Sequence, residues 1–103
     1  MTVVVTAVFQ PVEGQRPALI EALSAAMPAV HAEEGCLLYA IHAASDGTVV
    51  MIEKWAEPAA LAAHAQGDAV KALQAAVTGL VTGPAEVVTM TPVPAGTPSQ
   101  GAL

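Results

Sequence analysis

Four side chains of the 103-residue chain have both the chemistry and the setting for a site: His64, Trp55, Tyr39 and Glu53. His64 follows Leu61 by three positions in a helical stretch, which turns both toward the same face. An imidazole titrates near neutral pH, so it could take a proton from a phenol or hold a phenolate. The competing reading is a buried, hydrogen-bonded structural histidine. Trp55 shares a strand face with Glu53 and Met51, where its ring could wall an apolar pocket and its N–H could orient an oxygen. Core packing would place it there equally well. Tyr39 falls on a face with Leu37 and Ile41; its phenol could donate to a substrate oxygen or anchor the edge of the core. Glu53 either touches substrate or is an interior carboxylate bound to backbone or to a partner chain.

The stretch EEGCLLYAIH, residues 33–42, holds further titratable groups that spacing does not assemble into a site. Glu33 and Glu34 are neighbours on a helix end and point about 100° apart, so they are not placed as a paired acid and base. Cys36 reads as a small buried hydrophobe. His31 reads as a solvated helix end. The three histidines, His31, His42 and His64, lack the paired spacing of a zinc site, and no metal ligand set is expected. GxGxxG, phosphate-loop and GxSxG patterns are absent from the sequence.

Composition limits the partners. The chain is 54% hydrophobic and only 12% charged, with a formal net charge of -6. Its three cations, Arg16, Lys54 and Lys71, are scattered, which disfavours nucleic acid and anionic membrane surfaces. One cysteine cannot form an internal disulfide. The N-terminus MTVVVTAVFQ lacks the features of a signal peptide, and no apolar run reaches the roughly 18 residues of a membrane span. A cytoplasmic protein is expected.

The elements that must position these side chains follow from periodicity. Val3 to Phe9 is a β-branched run apolar on both faces. Leu19, Ile20, Leu23, Met27 and Val30 recur at helical spacing and predict a helix over about 15–33, with Pro28 inside it and Gly35 as its C-terminal cap. Residues 36–43 and 48–55 predict a hairpin around Asp46-Gly47. A short helix runs from Pro58 to Gln66; Gly67 interrupts, and Asp68 caps a second helix lined by Val70, Leu73, Val77 and Leu80. A last strand covers 84–91. The order βαββαβ predicts a ferredoxin-like α+β fold over residues 1–92, a four-stranded antiparallel sheet with every helix on one face, followed by a Pro/Gly-rich tail at 93–103. The strands are apolar on both faces, so a homodimer packed sheet to sheet is expected.

Two segments, EEGCLLY and VMIEKWAEPAALAAH, resemble the antibiotic biosynthesis monooxygenase family, in particular its small bacterial quinol monooxygenases. The resemblance rests on Glu34, Gly35, Cys36, Tyr39, Glu53, Trp55 and His64 and spans about residues 1–92. It implies a dimeric α/β barrel with a pocket between sheet and helices in each protomer, and oxidation of quinols, anthrones or related phenols by molecular oxygen without a cofactor. A haem-degrading branch places a histidine on the helix after this segment. Residues 68–74 contain none, and Ala7 stands where that branch has asparagine, so no haem is expected.

Together these readings predict a cofactor-independent monooxygenase for a small aromatic quinol, with His64 as catalytic base. Trp55, Tyr39, Glu53, Leu23, Met27 and Leu73 are expected to surround the substrate. Two alternatives stay open: a non-catalytic dimeric small-molecule-binding or stress-related module, and an isomerase of a small carbonyl compound on the same fold.

Overall fold

A computed structural model describes residues 1–103. Its elements are β1 (Val3–Phe9), α1 (Arg16–His31), β2 (Cys36–Ala43), β3 (Val49–Trp55), α2 (Pro58–Gln66), α3 (Asp68–Val77) and β4 (Glu86–Met90). The strands form one antiparallel sheet in the order β2-β3-β1-β4, the ferredoxin-like α+β arrangement.

Register decides which side chains meet the helices. Val3, Val5, Ala7 and Phe9 lie opposite Trp55, Glu53, Met51 and Val49, and all eight are buried. Tyr39 pairs with Glu53, which adds a ninth buried residue to the same face. Against this face α1 contributes Leu19, Leu23 and Val30, while α3 contributes Leu73 and Val77. The opposite face carries Thr6, Val8, Val50, Ile52, Val88 and Met90, as the period-2 alternation of a strand requires. On the edge strand, Val88 and Met90 are exposed.

Local structure departs from the sequence expectations at five points. The first helix stops at His31 with Ala32 as its cap residue, and Gly35 lies beyond it. There Gly35 has φ +81° and turns the chain into β2, a conformation that suits glycine. A β-bulge between Cys36 and Leu38 lets Leu37 escape the Tyr39 face, and Leu37 is exposed. The hairpin loop is one residue longer on the β3 side: Gly47 N–H donates to Ala44, Ala44 N–H donates to Thr48, and Asp46 accepts from the Thr48 N–H and hydroxyl. Asp68 is the first residue of α3 and makes no capping bond; Gly67 is the cap residue, and the Asp68 charge sits at the positive helix end. The last strand is shorter than 84–91 because only Glu86–Met90 pair with β1.

Residues 91–103 form no helix or strand, yet Lys54 Nζ donates to the Leu103 carbonyl at 2.6 Å. No helix is long and apolar enough to cross a membrane.

Candidate active site

Between the sheet and the α2–α3 layer lies a cavity of about 670 Å³. Its floor is the helix-facing side of β1, with Val5, Ala7 and Phe9, continued by Val87 of β4. Leu61, Val70, Leu73 and Val77 form the opposite wall, and the segment from Thr78 to Ala85 borders one side. Tyr39, Glu53 and His64 supply polar groups to this largely apolar space. None of the chain's lysines or arginines lines it.

These polar residues belong to one packed cluster. The Tyr39 and His64 rings are 5.4 Å apart at 63°, an edge-on arrangement. Trp55 lies behind His64, with ring centroids 4.6 Å apart and planes tilted by 34°. The indole is completely buried and donates through Nε1 to Glu53 Oε1 at 3.0 Å. This contact follows from strand geometry, since residues two apart project from the same face. His64 is the one buried residue of α2, and its Nδ1 lies 2.7 Å from Glu33 Oε1.

Burial sets the electrostatics. It raises the Glu53 carboxyl above its ordinary value of 4.5, against the opposing hydrogen bond from Trp55 and the influence of His64. Burial, followed by the charges of Glu53 and Glu33, pushes the Tyr39 phenol far above its ordinary value. At neutral pH Tyr39 is therefore an O–H donor. The same causes, burial first, raise the Cys36 thiol, which keeps it protonated and weakly nucleophilic.

Of the residues expected around a substrate, His64, Tyr39, Glu53 and Leu73 line the cavity. Trp55 does not line it; the indole is a buttress behind the imidazole. Leu23 is sealed in the core and Met27 packs against that core, both on α1 and away from the cavity. Helical spacing correctly marks such residues as inward-facing but does not tell which layer they face. His31, expected to be free in solvent, brings Nε2 to 3.0 Å from the Tyr39 carbonyl. Glu33, which spacing alone leaves outside any site, contacts the candidate base. Its sequence neighbourhood carries no mark of this; the fold makes the contact, since a Cβ at Gly35 would lie 2.5 Å from Ala60 Cβ and α2 therefore crosses directly over this turn. No group of three or more His, Cys, Asp or Glu side chains is arranged to hold a metal ion.

Residues 2–76 match a model of the antibiotic biosynthesis monooxygenase family. Among solved structures, the chain is similar to Rv0793 from Mycobacterium tuberculosis, with 30% identity over 94% of this chain and 100% of that one, at a TM-score of 0.83. It is also similar to protein SO0527 from Shewanella oneidensis, with 32% identity over 86% of this chain and 88% of that one, at a TM-score of 0.78. A comparison with proteins of curated function finds no match.

Proposed function

The chain belongs to the antibiotic biosynthesis monooxygenase family, and on that premise we propose that it oxidises a small aromatic quinol or related phenol with molecular oxygen, without a cofactor. The observation that carries this reading is the placement of His64 in a largely apolar cavity beside a protonated Tyr39. In this reading a substrate hydroxyl faces His64, which removes its proton. Tyr39 donates a hydrogen bond to a substrate oxygen. The electron-rich phenolate passes an electron to oxygen, and the two radicals combine at a ring carbon. One oxygen atom stays on the substrate and the other leaves as water, with both hydrogens and both electrons drawn from the substrate. The protein contributes deprotonation, orientation and a dry enclosure.

The test compares wild type with His64→Ala at equal concentration, after both are verified as folded, following oxygen consumption with a panel of naphthoquinols and anthrones. General-base assistance is typically about 10²- to 10⁴-fold, and His64→Ala should lose an effect on that order. Equal rates would remove His64 from the mechanism.

A second reading is favoured by Glu53, which lines the cavity as another titratable group. Two proton-transfer groups around one apolar space suit isomerisation of a small carbonyl compound, which needs no oxidant. Solvent deuterium entering a ketone under anaerobic conditions would identify that chemistry.

The same reading includes a homodimer. The sheet face turned away from the helices presents Val8, Val50, Ile52, Val88 and Met90, and a second copy packed on it should bury well over ~1,000 Å². Sedimentation equilibrium at micromolar concentration should give twice the chain mass, and a monomeric mass would contradict the assembly.

A further inference from the structure

We propose that Glu33 is the positioning residue for His64, holding the imidazole as the Nδ1–H tautomer so that Nε2 carries the lone pair available to a substrate proton. This rests on the reading of His64 as a base. A carboxylate only accepts hydrogen bonds, so the 2.7 Å contact between Glu33 Oε1 and His64 Nδ1 places the proton on Nδ1. Once Nε2 takes a proton, the imidazolium that forms already faces a carboxylate. Glu33 thus acts in two ways: through geometry before the transfer and through charge after it.

The backbone is built to hold this contact. Glu33 N–H donates to the Val30 carbonyl at 3.0 Å, and its own carbonyl accepts from Cys36 N–H at 3.2 Å, so the residue is fixed on both sides. The missing Cβ of Gly35 lets Ala60 approach, and His64 is four residues beyond Ala60, on the same side of α2. The second carboxylate oxygen, Oε2, is held near Gly67, where a Cβ would lie 3.1 Å from it. Trp55 supports the imidazole with its ring 4.6 Å away. Around His64 the titratable groups are Glu33, Glu53 and Tyr39, with Cys36 nearby on β2. Neither lysine nor arginine forms an ion pair with Glu33; its partner is His64.

A merely structural clasp between α2 and the turn would fix the same tautomer but would not change turnover through charge, so the tautomer tests the contact and Glu33→Gln tests the role. Nitrogen-15 NMR of the labelled histidines at a pH of about 8.5, where an imidazole is neutral, reads the tautomer directly. Wild type should show His64 as Nδ1–H, and Glu33→Ala should shift it toward Nε2–H, the form favoured by a free imidazole in water. Nε2–H in wild type, or an unchanged tautomer in folded Glu33→Ala, overturns the proposal. Glu33→Gln keeps the shape and an acceptor oxygen but removes the charge. It should lower kcat about 10- to 100-fold with KM unchanged, by analogy with the loss when partners that orient metal-ligating histidines are removed. A wild-type kcat in Glu33→Gln overturns the role of the charge. If Glu33→Ala does not fold, the wild-type spectrum and Glu33→Gln decide. The tautomer is read without turnover, so its failure is separable from a failure of the oxidation reading.

Discussion

Trp55 Nε1 donates to Glu53 Oε1 across 3.0 Å, joining two side chains on one face of one strand beneath the cavity. The bond satisfies the buried indole, but it leaves a carboxyl group in an apolar setting that raises its pKa. The folded chain therefore holds a proton on Glu53 at pH values where the unfolded chain has released it. Folded stability should fall as pH rises from the ordinary value of 4.5 to the raised folded value, then level off. Glu53→Gln retains an acceptor for the indole and removes this slope. The difference in melting temperature, Glu53→Gln minus wild type, should grow from about pH 4 to about pH 8, a span that starts below the ordinary carboxylate range and ends above it. A constant or shrinking difference would contradict the assignment.

Gly35 and Gly47 both have positive φ, but their surroundings differ. At Gly47 a Cβ would meet nothing within 4 Å, whereas at Gly35 it would strike Ala60 of α2. Gly47→Ala should cost about 1–2 kcal/mol, the backbone penalty alone. Gly35→Ala adds overpacking and should cost roughly 2–5 kcal/mol in urea unfolding. It should also displace Glu33 from His64. Equal costs for the two variants would show that the approach of α2 is soft.

Element order was legible because β1, β3 and the helices carry clear periods: alternation groups Val3, Val5, Ala7 and Phe9 on one face, although strands apolar on both sides do not tell which face meets the helices. Tyr39 was legible for the same reason, although the bulge at Leu37 was not, because an inserted residue leaves no mark on a run of apolar side chains. Glu33 was hidden because its partner is 31 residues away and on another element. The loop side of the cavity, Thr78 to Ala85, was hidden because irregular backbone has no period from which to infer a face.

The charge of the cavity predicts which substrates it rejects. Glu53 lines it, Glu33 stands behind His64, and no lysine or arginine faces it, so an added sulfonate or carboxylate would find no counter-charge. A naphthalenediol should bind at least about tenfold more tightly than its sulfonated analogue of similar ring size, a difference of about 1.4 kcal/mol. Isothermal titration with the pair measures this directly. Equal affinity would mean that the charged group remains outside the cavity.

Val87 allows the cavity to be narrowed without disturbing the core. It lines the cavity, yet it lies on the edge strand β4 and is 60% exposed, so the fold draws little stability from it. Val87→Trp places a larger side chain where strands accept aromatics, and its effect on unfolding free energy should stay within about 0.5 kcal/mol. Affinity for a three-ring aromatic should nevertheless fall about tenfold, while a single-ring phenol should bind nearly as in wild type. Leu73 is the opposite case: it lines the same cavity but is 4% exposed and belongs to the core. Leu73→Ala should enlarge the space while costing about 2–5 kcal/mol. The pair separates occupancy of the cavity from stability of the fold. Unchanged affinity for both ring sizes in folded Val87→Trp would place the ligand elsewhere.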